Sequence, residues 1–208
     1  GYDQVQHRLS KLQAAYTICT AMCVNTSEKL NGDNDMAPHG LEANAVKTVT
    51  TDLMQEAAQS AMQLIGAEAY KLNHIVGRGT MDSRPFQIFE GSNDILYAQI
   101  TEGMLKLMKR AKESNLFQFL KEYALTQRAA DYVKELMNFD LNMEMQQRKF
   151  VGMGKVIART ICMNQVLELA QKGFRKDLIE GAMAMLHQDV SKLMAGFSFS
   201  NRSSVIED

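Results

Sequence analysis

Apolar residues recur along most of the chain with the period of an α-helix. In the first segment Leu9, Leu12, Tyr16, Cys19 and Cys23 are separated by 3, 4, 3 and 4 positions. That spacing aligns them on one face of a helix running from about residue 3 to 30. The polar stretch 31–40, with Gly32, Pro38 and Gly40, predicts a loop. Val46, Val49, Leu53, Ala57, Ala61 and Leu64 mark the buried face of a second helix that should stop near Gly66. Between 67 and 91 the pattern is broken by Gly77, Gly79, Pro85 and Gly91, so a short helix and irregular chain are expected. Ser92 is a good N-capping residue and Asp94 suits a first helical turn. They open a third long helix to about residue 113, with Leu96, Ile100 and Leu107 among its apolar positions.

Beyond Glu113 the character shifts. Leu116, Leu120, Tyr123, Val133 and Met137 predict a fourth helix. Val156, Thr160, Met163, Leu167 and Ala170 predict a fifth, and Ile179, Met183, Leu186, Val190 and Leu193 a sixth. Their alternating spacing of 4 and 3 suits antiparallel bundle packing. The Ser- and Asn-rich tail after Gly196 is expected to fray. No segment alternates with period two for long, so the fold class is all-α. The change at 113 divides the chain into a helical domain over 1–113 and a helical extension over 114–208.

Composition narrows the function. With 46% apolar and 23% charged residues the chain is that of a folded globular protein. Its net charge of −1 carries no basic surplus for nucleic acid, and no nucleic-acid partner is expected. Charges of both signs mix along the extension, as on a solvated face. No apolar run approaches the roughly 20 residues that cross a bilayer, and no signal peptide opens the chain, so a cytoplasmic protein is expected. Three cysteines without CxxC spacing read as reduced thiols, and Cys19 and Cys23 as core residues. The four histidines are scattered and none follows a Glu-x-x-His pattern, so no metal is expected. The start at Gly1, with a helical pattern under way within a few residues, suggests a piece of a longer protein.

The chemistry-bearing stretch is Gln63-Leu-Ile-Gly-Ala-Glu-Ala-Tyr70 followed by Ile88-Phe-Glu-Gly-Ser-Asn-Asp-Ile95. Glu90-Gly91-Ser92 sets a carboxylate just before a helix N-terminus, whose N–H groups favour a phosphate or a developing oxyanion. Gly91 would allow a close backbone approach or a positive φ. Read alone, these residues are more simply a solvated loop carboxylate and a cap. Their spacing resembles the C-terminal helical domain of the acyl-CoA dehydrogenase family. That family carries Gln-x-x-Gly-Gly-x-Gly-Tyr, then an Arg-Asp pair, then Ile-Tyr-Glu-Gly-Thr opening the last core helix. Here Gln63, Gly66, Tyr70, Asp82 and Ile88-Phe89-Glu90-Gly91-Ser92 fall in register without a gap, and the likeness runs from about 3 to 111.

The resemblance implies a four-helix-bundle domain with additional C-terminal helices. It also implies a parent enzyme that removes the α-proton of an acyl-CoA thioester while the β-hydrogen leaves as hydride to FAD. Glu90 corresponds to the base and Gly91 to a substrate-lining position. Ser92, Asn93 and Asp94 correspond to positions beside FAD. Gln13, Gln63, Leu64, Ile65, Gly66 and Ala67 correspond to positions that meet the FAD of a neighbouring subunit. An electron-transfer partner and a homodimer or homotetramer follow from the same likeness. Ala67 and Ala69 stand where the family has glycines, Met81 where it has Arg, and Tyr2 where an Arg touches the FAD pyrophosphate. These departures keep open a second reading, a catalytically retired homologue whose helical domain serves oligomerisation or scaffolding.

Overall fold

The computed structural model describes residues 1–29, 39–141 and 145–198. Among them the named elements are helical and no strand forms beyond an isolated bridge between Asn115 and Asp140. The long helices are α1 (Asp3–Lys29), α2 (Gly40–Ile65), α4 (Asn93–Ala111), α7 (Gln147–Gln171) and α8 (Lys176–Ser198). Shorter ones are α3 (Ile75–Ser83), α5 (Leu116–Glu122) and α6 (Lys134–Met137), with 3-10 turns at Gly66–Tyr70, Arg84–Gln87 and Ala130–Val133. Most of the predicted 31–40 loop and the end of the tail lie outside the described residues.

Helix ends follow local chemistry. α2 stops at Gly66, whose φ of 75° is open to glycine, and its N–H bonds the Met62 carbonyl. α4 ends at Lys112 in the left-handed region, with Lys109 and Arg110 set against the negative end of the helix dipole. Ser92 has the extended backbone of an N-cap, but its hydroxyl makes no capping bond. The predicted fourth helix does not form as one piece. After Tyr123 the chain turns, the buried Thr126 hydroxyl bonds the Leu120 carbonyl at 2.7 Å, and the Arg128 N–H bonds Asn164 Oδ1 on α7 at 3.0 Å. Side chains satisfying these backbone groups compete with helix continuation, and here they win.

α7 is the middle of the molecule. Every residue from Val156 to Val166 is buried, and the helix packs against α1, α2, α4 and α8. One continuous core runs from Ile18, Val49 and Ile100 through Ile157 and Ile161 to Leu186 and Val190, so residues on both sides of 113 share it. A helix buried on most sides has to be chosen from residues that tolerate contact all round, and α7 supplies Gly, Ala, Cys, Val, Ile and Met there.

α1 is turned opposite to the sequence reading. Its buried line is Ala14, Ala15, Ile18, Ala21, Met22 and Asn25. Tyr16 is 73% exposed, Leu9 53%, Cys23 is exposed and Cys19 half-buried, so Cys23 is not a core residue. Two rows with the same 3-4 spacing lie on opposite sides of this helix, and only the packing of α7 and α8 selects the small-residue row. Close helix approach favours Ala over Tyr or Leu. No described helix is long and apolar enough to cross a membrane.

Candidate active site

Residues 88–92 form a turn between the Arg84–Gln87 3-10 turn and α4. Phe89 N–H bonds the Pro85 carbonyl at 2.9 Å, and beyond it Glu90 and Gly91 have φ values of 58° and 98°. A left-handed Glu is uncommon for a side chain of its size and is held only where the surroundings determine it. At Gly91 a Cβ would sit 3.3 Å from Leu96 Cδ2 in a backbone region that L side chains rarely adopt, which explains the glycine. The Glu90 carboxylate is exposed, and among the described residues neither it nor the Glu90 N–H has a hydrogen-bond partner. A basic oxygen and an N–H donor therefore stand together at the N-terminus of α4.

The turn is clamped from below by α2. Lys47 Nζ donates to the Gly91 carbonyl at 2.9 Å and to Asn93 Oδ1 at 2.8 Å. Asn93 Nδ2 donates to Asp52 Oδ1 at 2.7 Å and to Thr51 Oγ1 at 2.9 Å. Gln87 Nε2 reaches the same Asp52 oxygen at 2.7 Å, and the Tyr97 hydroxyl donates to Asp52 Oδ2 at 2.7 Å. Desolvation draws the Lys47 ammonium below its ordinary pKa, opposed by the charges of Asp52 and Glu90. Burial pushes the Tyr97 phenol well up, so it stays a donor to the Asp52 carboxylate.

The other expected residues occupy separate elements. Gln13 is exposed on α1. Gln63, Ile65, Gly66 and Ala67 are exposed at the end of α2, and Leu64 is half-buried there. Open space lies around the position of a Gly66 Cβ. Asp94 is exposed and pairs with Lys155 of α7 at 3.6 Å. Asn93, by contrast, is 7% exposed with its amide committed to α2, so only its backbone could face a ligand. Along the stretch 65–89, Ile65, Tyr70, Leu72, Ile75, Phe86 and Phe89 each stand exposed.

The residues of this chain match the family model for the acyl-CoA dehydrogenase C-terminal domain over 2–105. The chain belongs to the acyl-CoA dehydrogenase family. No curated protein matches it. The match takes in α1, α2, the Glu90 turn and most of α4, and ends before α7 begins.

Sequence reasoning missed Lys47, Asp52, Gln87 and Tyr97. A signal was present in Lys47-Thr-Val-Thr-Thr-Asp52, where threonines and a carboxylate interrupt a helix face next to Val49 and Leu53. Thr is a weak helix former, and each of these hydroxyls returns a bond to a carbonyl three or four residues earlier. Only the approach of 87–97 shows what the charged pair is for.

Proposed function

We propose that this chain is the C-terminal part of a FAD-dependent acyl-CoA dehydrogenase, with Glu90 as the base that removes the α-proton of an acyl-CoA thioester. The supporting observation is the exposed Glu90 carboxylate on a left-handed turn, beside its own N–H and clamped by Lys47 and Asp52. The α-proton of a thioester is a weak acid, so its removal needs a carboxylate in contact and donors on the carbonyl oxygen. Glu90 and its own N–H offer both from one turn, with Gly91 against the acyl chain.

A flavin supplies the hydride acceptor for the β-carbon when bound. The residues present fit one edge of such a planar group rather than a whole pocket. Gln13, the Gln63–Ala67 segment, the Ser92 hydroxyl, the Asn93 backbone and Asp94 would hold it, with the remaining contacts supplied by other parts of the protein. The α1 row of Leu9, Tyr16 and Cys23 offers an apolar contact to a second copy, as a dimer or tetramer. An electron-transfer partner would then reoxidise the flavin.

The test is Glu90→Gln in the full-length protein, which keeps the shape and the backbone donors. Loss of a positioned base costs about 10² to 10⁴-fold in turnover of acyl-CoA, with flavin content unchanged. Retention of most activity places the base elsewhere. The absence of the family's Arg at the exposed Met81 favours the second reading, a retired homologue. Failure of the unmutated protein on every acyl-CoA, with flavin bound, would establish that reading instead.

A further inference from the structure

We propose that Lys47 and Asp52 are positioning residues for the Glu90 carboxylate, acting through a polar stripe on α2 that fixes the backbone of 87–93. Their effect on turnover rests on Glu90 being the base, whereas their hold on the turn can be tested without any turnover.

Lys47, Thr51, Asp52 and Gln55 stand at i, i+4, i+5 and i+8, so they share one face of α2. Among the described residues, their hydrogen bonds beyond α2 go to one segment, 80–97. Gln55 holds its start: the Ser83 hydroxyl donates to Gln55 Oε1 at 2.8 Å, and Gln55 Nε2 donates to the Thr80 carbonyl at 3.4 Å. Asp52 holds both flanks of the turn, since Gln87 before it and Asn93 after it each donate to Oδ1 at 2.7 Å. Its second oxygen accepts from the Tyr97 hydroxyl in the first turns of α4, also at 2.7 Å. Thr51 Oγ1 accepts from the same Asn93 amide at 2.9 Å. Lys47 reaches the turn itself, donating to the Gly91 carbonyl at 2.9 Å. Thr51, Gln55, Ser83 and Asn93 are all buried.

Polar groups lose their hydration on burial, and an apolar row of similar volume joins helices at least as well. Directed bonds add what an apolar row lacks, a single backbone placement. The turn requires such placement. Glu90 at φ 58° and Gly91 at φ 98° are successive residues with positive φ, and a left-handed Glu is not held by its own preference. Holding the Gly91 carbonyl fixes the peptide plane after Gly91, while holding Gln87 and Asn93 sets the span that the turn must bridge. The Glu90 carboxylate has no hydrogen-bond partner among the described residues. The stripe therefore places this carboxylate through the backbone and leaves its oxygens open to a substrate.

The experiment follows residue-resolved amide exchange in the 208-residue chain. The reporters are the Phe89 and Leu96 amides, which bond the Pro85 and Ser92 carbonyls on either side of the turn. Lys47→Met removes the ammonium and keeps most of the stem. Asp52→Asn replaces one acceptor oxygen with a donor. In both, the reporters should exchange at least about tenfold faster relative to mid-helix amides of α8, because opening becomes local rather than global. Lys106→Met removes an exposed charge from α4 and should leave that ratio unchanged. Unchanged reporters in Lys47→Met, or equal acceleration in α8, overturn the proposal, and that variant alone decides should Asp52→Asn not fold. In the full-length protein, Lys47→Met should lower kcat for acyl-CoA by about ten- to a hundredfold with KM and flavin content unchanged, since a misplaced base slows chemistry rather than binding. Added to Glu90→Gln it should cause no further loss, because both changes act on one group. A raised KM with unchanged kcat, or an additive loss in the double variant, also overturns the proposal. An active Glu90→Gln enzyme would refute Glu90 as base and leave the exchange result standing.

Discussion

Cys23 shows how much one residue's surroundings decide. It is exposed on α1, whereas burial raises the Cys19 thiol to about 11, with a smaller contribution from the Cys23 charge, and burial pushes Cys162 well up too. Thiolate, not thiol, is the reacting species, so iodoacetamide at pH 8 should label Cys23 first in dilute chain, as read by peptide mass. If α1 carries the contact between copies, that labelling slows as concentration rises, in step with the mass measured by light scattering. A labelling rate that stays constant while the mass increases would remove α1 from the contact. At the same scale, the positive φ of Gly91 was legible from a glycine set just before a helix, whereas a chemical role for Glu90 came only from the family resemblance. Asp52, which both flanks of the turn depend on, was not, because a carboxylate on a helix reads as solvated until its partners are known.

Among the elements, the junction of α4 and α7 carries the most stringent packing. Gly154 leaves no room for a methyl group against the Tyr97 carbonyl, whereas nothing lies within 4 Å of a Cβ on Gly152 in the same helix. Gly154→Ala should therefore destabilise the fold through overpacking, by about 1–3 kcal/mol or more. In a domain of this size each kcal/mol moves the melting midpoint by about 2–4 °C. Gly152→Ala should leave the midpoint unchanged or raise it, since Ala is the better helix former. Equal midpoints for the two variants would mean that α7 and α4 do not meet as described. The long periodic helices were readable because each repeats its pattern over many turns. The break at 123–129 was not, because Leu116, Leu120 and Tyr123 before it and Val133 and Met137 after it each keep a helical spacing, while the segment between them bonds Asn164 of α7 instead.

For the whole molecule the consequence concerns residues 114–208, which supply the central helix. A chain ending at 113 would expose the faces of α1, α2 and α4 that now meet α7. It should show helical far-ultraviolet dichroism but no cooperative thermal transition, since secondary structure without specific packing melts gradually. A sharp transition near that of the full chain would show that 1–113 holds a core of its own.

The all-α class, the extents of α1, α2 and α4, the stop at Gly66 and the positive φ at Gly91 follow from residues close in sequence. Periodicity, glycine conformational freedom and capping are local physics, so these features were available without coordinates. Which of two 3-4 rows on α1 turns inward, where the expected fourth helix breaks, and what anchors the turn were decided by tertiary packing. The first two depend on α7 and the third on α2, and in each case the partners lie tens of residues away along the chain. A hydrophobic pattern specifies that a face is buried, but the neighbour it is buried against is set by competition among all faces at once. Lys47, Asn93, Asp52 and Tyr97 become one line of charge and hydrogen bonds only when α2 and α4 are brought together.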